Sequence, residues 1–113
     1  MPVFLVQFSY APRSIKTMVS QPDFDRAAEA TAMVTSLGGK LLGHWFALGE
    51  FDGVALVDAP DSSTAASIIM AIGGTGAVSR LQTTVLLTMA EEQQARRNAA
   101  TASHLPLGDR QNR

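Results

Sequence analysis

The feature that most constrains the fold is a short turn sequence near the middle of the chain, Gly49-Glu50-Phe51-Asp52-Gly53. It separates two apolar runs, Lys40 to Leu48 and Val54 to Ala59. Glycines on both sides of an acidic and aromatic centre are typical of a tight antiparallel hairpin, and Asp-Gly is a strong turn signal. The sequence therefore predicts two adjacent antiparallel strands in the middle of the domain.

The segments outside the hairpin have the patterns of two further strands. Val3 to Tyr10 is rich in β-branched and aromatic residues, and Val78 to Met89 mixes apolar and polar side chains. Regular alternation divides the strand before the hairpin into two faces, Leu42, His44, Phe46 and Leu48 on one and Leu41, Gly43, Trp45 and Ala47 on the other. Which of these faces meets the core depends on the parity of the hairpin, and a bulge reverses it.

Two helices are predicted between the strands. The first takes Ser20 as its N-cap, after one or two helical turns between Arg13 and Val19, and it stops at Gly38-Gly39. Its apolar stripe consists of Phe24, Ala27, Thr31, Val34 and Leu37, whereas Asp25, Arg26 and Glu29 lie away from that stripe. The second takes Asp61 as its N-cap and stops at Gly73-Gly74.

The element order β-α-β-β-α-β indicates an α+β fold, a ferredoxin-like βαββαβ sandwich with an antiparallel sheet of strand order 4-1-3-2. Within that order we expect the first and third strands to be side by side and parallel. Both helices cover one face, and the other face, of roughly 350 Å², is bare. Because both faces of the third strand are apolar, we expect the bare face to pack against a second copy in a homodimer.

Composition excludes several classes of partner and site. The 113 residues carry a net charge of −1, which provides no field for nucleic acid or an anionic membrane. There is no cysteine, and a single core histidine is a poor metal site, so neither a metal nor a cofactor is predicted. The apolar N-terminal run stops at Gln7, too early for a signal or membrane segment. We expect a cytoplasmic protein with one domain, residues 1–90, and a helical or disordered C-terminal tail, residues 91–113.

Four short motifs carry a family resemblance: Phe8-Ser9-Tyr10-Ala11-Pro12, Gly38-Gly39-Lys40-Leu41, the turn at 49–53, and Asp58-Ala59-Pro60-Asp61. In these the chain resembles the GYD-domain family over about residues 2–90. The family's signature is Gly, any residue, Tyr, Asp, and Phe51 stands in the tyrosine position. The resemblance implies a dimeric α/β barrel, in a group that includes cofactor-free monooxygenases, isomerases and ligand-binding proteins. It implies no general activity.

His44 is the candidate catalytic residue, because it is the one histidine in the predicted core and His104 lies in the tail. An imidazole in a cavity can be tuned toward the working pH and serve as a general base. The alternative is a structural strand histidine, since no second catalytic group stands at a telling spacing.

The candidate ligand site is a polar patch on the bare face, where Gln7 of the first strand neighbours Arg80 and Gln82 of the last. Arg80 would hold a carboxylate or phenolate, and a glutamine would orient it. Trp45 would add an aromatic wall. Dimer-interface hydrogen bonding, an exposed rim or packing are the alternatives for these residues. Asp52 is expected to cap the backbone of its own turn, in preference to a cation site with Glu50.

The leading functional prediction is a small-molecule-binding dimeric α/β-barrel protein whose ligand is aromatic or carries a carboxylate. The first alternative is a cofactor-independent oxygenase or isomerase that uses His44 as a base. The second is a structural or assembly module that recruits partners through the C-terminal tail, by way of Leu105-Pro106-Leu107.

Overall fold

A computed structural model describes residues 2–103 of the chain. The elements follow in the order β1 Val3–Tyr10, α1 Pro12–Ser20, α2 Arg26–Ser36, β2 Lys40–Phe46, β3 Gly53–Asp58, α3 Ser62–Gly74, β4 Val78–Leu86 and α4 Met89–Ala99. The strands form one sheet of order β2-β3-β1-β4, which is the predicted order counted from the opposite edge. The predicted α+β ferredoxin-like fold is therefore confirmed. Among the helices of the described residues, none is long and apolar enough to cross a membrane.

The relation between β1 and β3 differs from the prediction in one respect. The two strands are neighbours, but they run antiparallel, with Val6 opposite Ala55. β3 returns from β2 through the hairpin and is inserted between β2 and β1, so it opposes both of them. The expectation of a parallel β1–β3 pair was therefore wrong, and every neighbouring pair of strands in the sheet is antiparallel.

Helices α2 and α3 cover one face of the sheet, and the core lies beneath them. Buried side chains alternate along the two central strands, at Phe4, Val6 and Phe8 of β1 and at Ala55 and Val57 of β3. Val34 of α2 and Ile68 of α3 belong to the same buried cluster. Because successive side chains of a strand point to opposite faces, Leu5, Gln7, Val54 and Leu56 lie on the bare face.

Acidic N-caps set the starts of α2 and α3. The Asp61 carboxylate accepts a hydrogen bond from the Thr64 N–H at 2.7 Å, which confirms the predicted cap. α2 is capped by Asp25, whose carboxylate accepts from the Ala28 N–H at 3.0 Å. The predicted N-cap Ser20 was wrong, because Ser20 is the last residue of α1.

The change of cap shifts the inward face of α2. Four members of the predicted apolar stripe were wrong, because Phe24 precedes the helix and is 51% exposed, Leu37 follows it and is 37% exposed, and Ala27 and Thr31 are exposed as well. Val34 is buried as predicted.

The β2–β3 hairpin is wider than a two-residue turn, since its last pair is Phe46 with Gly53 and the loop spans residues 47–52. Farther along β2, the register shifts between the pairs Leu41–Val57 and Gly43–Leu56, which leaves Leu42 as the extra residue of a β-bulge.

The bulge places Leu41 and His44 on the same, helix-covered face, because their partners Val57 and Ala55 are both buried there. Trp45, opposite Val54, lies on the bare face. The regular alternation predicted for β2, which separated Leu41 from His44, was wrong for this reason.

The residues after β4 form α4, which begins with a capping box. The Thr88 hydroxyl accepts from the Glu91 N–H, and the Glu91 carboxylate accepts from the Thr88 N–H. α4 has no buried residue and carries the first part of the predicted tail. His104 and Leu105-Pro106-Leu107 lie outside the described residues.

Candidate functional site

A cavity of about 220 Å³ lies between the helix-covered face of the sheet and helices α2 and α3. Its lining is mostly apolar, with contributions from Phe8, Met33, Val34, Leu41, Ala55, Ile72 and Val78. Five of the lining residues are polar or charged: Tyr10, Arg26, Glu29, His44 and Thr75. A concave apolar surface with a few convergent polar groups is the usual form of a ligand site.

His44 lies on the sheet side of this cavity and is half-buried. Burial lowers the pKa of its imidazole, and the positive charge of Arg26 lowers it further. The ring centroid is 5.9 Å from that of Phe8. A neutral imidazole has one nitrogen that accepts a hydrogen bond or a proton, so His44 can act as an acceptor in the cavity at neutral pH.

Arg26, the first residue of α2, carries its guanidinium over the ring of Tyr10, with Cζ 5.2 Å from the ring centroid. Its Nε is buried and has no hydrogen-bond partner among the residues that the structure describes. Within residues 2–103 the side-chain ion pairs are Arg80–Glu50 and Arg96–Glu92, so Arg26 has no carboxylate partner there. A buried donor without a partner costs free energy.

Tyr10 is held through both its backbone and its ring. Its N–H donates to the Asp52 carboxylate at 3.0 Å, and the Asp52 N–H donates to the Phe8 carbonyl at 2.9 Å. The ring stacks on Phe46 with centroids 6.3 Å apart. Asp52 therefore caps β1, which continues past its last pair with β3, and the prediction that it caps its own turn was wrong.

Gln7, Trp45, Arg80 and Gln82 lie on the bare face, on the other side of the sheet from His44. Gln7 is paired with Gln82 across β1 and β4, and both line an open cleft beside the hairpin loop. The structure thus brings the two glutamines together as predicted. It does not bring them together with His44, because side chains on opposite faces of a sheet point apart.

Arg80 already has partners on that face. Its Nη2 is 2.9 Å from Oε1 of Glu50, and its Cζ lies 4.5 Å from the centroid of the Phe51 ring. Glu50 is accordingly engaged with an arginine. Within residues 2–103 no three His, Asp or Glu side chains converge as metal ligands.

Sequence reasoning missed Arg26, Glu29 and Tyr10 as cavity residues. A signal was present, because the cavity-lining residues of α2 recur at helical spacing: Arg26, Glu29, Ala30, Met33 and Val34. Charged residues such as Arg26 and Glu29 are ordinarily assigned to the solvent-exposed face of a helix. The bulge, which no local pattern in β2 indicated, brings Leu41 and His44 to the same side.

Three comparisons with known proteins address the fold. The chain matches the profile of the GYD domain over residues 4–96. No curated protein matches it by sequence. Similar solved structures include a protein of Thermus thermophilus, with 16% identity, 78% of this chain and 95% of that chain covered, and a TM-score of 0.55.

Two further structures have the same fold. FFRP-DM1 is 10% identical, with 77% of this chain and 100% of that chain covered and a TM-score of 0.54. The 5-chloro-2-hydroxyhydroquinone dehydrochlorinase of Burkholderia phenoliruptrix AC1100, solved in complex with 2,5-dihydroxybenzoquinone, is 12% identical, with 78% of this chain and 96% of that chain covered and a TM-score of 0.52.

Likeness at such low identity shows the fold alone. The profile match is more specific, because it runs from β1 into α4 and includes the turn that carries the signature. The chain belongs to the GYD-domain family.

Proposed function

We propose that this GYD-domain protein binds a small organic molecule in the cavity between the sheet and helices α2 and α3. The observation that carries the proposal is an apolar cavity into which Tyr10, Arg26 and His44 bring polar groups. A volume of about 220 Å³ suits a molecule of about one substituted ring. It lies below the roughly 300 to 1,000 Å³ of sites for drug-sized ligands.

The dehydrochlorinase supports this size class, because a protein of the same fold was solved with a single-ring quinone. The polar patch first considered, at Gln7, Arg80 and Gln82, is the weaker candidate. Its arginine is already paired with Glu50, and its cleft is open.

A cavity-filling variant tests the proposal. Ala30 lines the cavity on α2, whereas Ala32 is exposed on the same helix and is absent from the lining. We expect single-ring compounds to shift the backbone amide resonances of Phe8, His44 and Ala55 in the wild type. Ala30→Phe should abolish these shifts, and Ala32→Phe should retain them. Shifts that survive Ala30→Phe would place binding elsewhere.

The second candidate is a cofactor-independent oxygenase or isomerase with His44 as its base. The lowered pKa and cavity position of His44 favour it, because a neutral imidazole near the working pH is suited to proton abstraction. His44→Gln should then abolish turnover of a bound compound while the compound still binds. Turnover that is unaffected by His44→Gln removes this candidate.

We also propose that the bare face mediates a homodimer. Leu5, Val54 and Leu56 lie on the two central strands of that face. Trp45 on β2 is 53% exposed and Leu42 is 45% exposed in the single chain. Covering an apolar face of this kind with a second copy of the chain is favourable.

A further inference from the structure

We infer that the cavity selects a ring-bearing ligand with one anionic oxygen group, a carboxylate or a phenolate, and that Arg26 is the residue that binds this group. The inference rests on the proposed function. It adds to that function the charge of the ligand and the side chain that binds the charged group.

The first argument is the state of the Arg26 side chain. Its Nε is buried without a hydrogen-bond partner among the described residues, and its guanidinium lies over the Tyr10 ring. Removing a charged donor from water without a partner is unfavourable. The planar guanidinium presents its donors in a fork that matches two oxygens of a carboxylate. An anionic oxygen in the cavity would supply the missing partner.

Arg80 shows that an aromatic ring alone does not distinguish a binding arginine. Its guanidinium also lies over a ring, that of Phe51, but Glu50 pairs with it at 2.9 Å. Arg26 has the same kind of aromatic support and no such carboxylate within the part of the chain that the structure describes. The two arginines therefore differ in that Arg80 has a carboxylate partner and Arg26, among the described residues, has none.

Glu29 limits the ligand to one anionic group. It lines the cavity one helical turn after Arg26, and it is exposed. No ion pair joins the two side chains within residues 2–103, so the Glu29 charge is left to solvent at the edge of the cavity. A second anionic group on the ligand would meet this carboxylate, and like charges repel.

His44 supplies a hydrogen-bond acceptor for a second group of the ligand. The charged or titratable side chains that share its cavity are Tyr10, Arg26 and Glu29. Burial and the nearby Arg26 charge both favour the neutral imidazole, which offers an acceptor nitrogen. A ligand hydroxyl can donate to this nitrogen, so a hydroxylated aromatic acid offers one group to Arg26 and one to His44.

Matched acid and amide probes test the inference. Calorimetry would measure binding of benzoate, benzamide, 4-hydroxybenzoate and 4-hydroxybenzamide to the full chain, and amide shifts at Phe8, His44 and Ala55 would locate each probe. A charge-assisted hydrogen bond contributes about 1.5 to 3 kcal/mol, so each acid should bind about 10- to 100-fold more tightly than its amide.

The variants assign the preference to one arginine. Arg26→Gln should abolish the 10- to 100-fold acid preference, a factor set by the roughly 1.5 to 3 kcal/mol of the lost charged hydrogen bond. Arg80→Gln, on the bare face, should keep it. If Arg26→Gln fails to fold, Arg26→Lys retains the charge without the fork and should bind the acids more weakly than the wild type. The comparison of acids with amides on the wild type needs no variant.

The contrary outcomes are separable. Equal affinity for acids and amides, with shifts at the cavity, overturns the inference and leaves small-molecule binding standing. An acid preference that Arg80→Gln removes and Arg26→Gln retains also overturns it. No shift with any of the four probes overturns both the inference and the proposed function.

Discussion

Phe8 and Gly53 illustrate how single residues shape the cavity. The Phe8 ring occupies the space that a Cβ on Gly53 would need, with its Cε2, Cζ and Cδ2 atoms all in the way. On the bare face, the Trp45 ring likewise occupies the space that a Cβ on Gly43 would need. Close approach of a ring to a strand requires glycine at these two positions, because any side chain would displace the ring.

Gly53→Ala should destabilise the protein by about 1 to 3 kcal/mol, because the added methyl group forces Phe8 out of its buried position. Gly49→Ala is the matched control in the same turn, since a Cβ there meets no atom within 4 Å. Its effect should stay within about 0.5 kcal/mol. Urea unfolding of both variants measures the difference, and equal stabilities would contradict the packing described for Phe8.

The pKa of His44 makes stability depend on pH. Because burial and Arg26 lower the pKa in the folded chain, the unfolded chain takes up a proton first as the solution is acidified. The contribution of neutral His44 to the free energy of unfolding is fully present above the histidine pKa of the unfolded chain, about 6.5. It is lost as the pH falls through the lower pKa of the folded chain.

We therefore expect the free energy of unfolding to fall between about pH 7.5 and pH 5, and His44→Gln to reduce that fall. Urea titrations at several pH values, with the imidazole titration followed by NMR, measure both quantities. A folded pKa at or above the ordinary histidine value would refute the prediction.

At the scale of elements, the sequence predicts what is encoded locally. The strand at Val3–Tyr10 and the Asp61 cap are short-range signals, and the structure contains both. The tight turn predicted at Asp52-Gly53 was wrong, because a loop of residues 47–52 joins the two strands and Gly53 already belongs to β3. The start of α2 was misplaced, because Ser20 and Asp25 are both suitable cap residues, and Ser20 is instead the last residue of α1. The faces of β2 were misassigned, because pairing with β3 creates the bulge.

The candidate site was less predictable for the same reasons. Which face His44 occupies depended on the parity of the hairpin and on the bulge. Arg26 belongs to the cavity because α2 begins at that residue. Strand alternation puts Tyr10 on the same face as Phe4, Val6 and Phe8, but periodicity does not show that the helices leave a space above one end of that face.

Deleting single residues of β2 tests the bulge. Removal of Leu42 makes the pairs Leu41–Val57 and Gly43–Leu56 consecutive, so His44 stays opposite Ala55 on the cavity side. Removal of Trp45 moves His44 opposite Val54, on the bare face.

The imidazole pKa reports the outcome by NMR. It should remain lowered without Leu42, because burial near Arg26 persists, and it should return toward the ordinary histidine value without Trp45. A pKa that moves equally in both deletions would contradict the assigned register.

At the scale of the whole molecule, the sheet separates two surfaces. The cavity opens on the helix-covered face, and the apolar bare face carries Leu56 and Trp45. Variants that alter ligand binding through His44 should therefore leave the oligomeric state unchanged.

Light scattering at micromolar concentration should give the mass of two chains. Leu56→Lys should convert the protein to one chain, because it brings like charges together at the centre of an apolar interface. Leu48→Lys serves as the control, since Leu48 is 96% exposed in the hairpin loop. A wild-type mass of one chain, or a dimer that survives Leu56→Lys, would contradict assembly through this face.

The hairpin loop is tied to two other strands, β1 and β4. Glu50 and Phe51 contact the Arg80 side chain on the bare face, and the Asp52 carboxylate accepts from the backbone N–H of Tyr10 at the end of β1. Only the flat π surface of residue 51 is used, and tyrosine and phenylalanine have that surface in common. The contact of Phe51 with Arg80 therefore does not require the phenolic oxygen of the family signature, and in this protein the motif fastens the hairpin loop to β1 and β4.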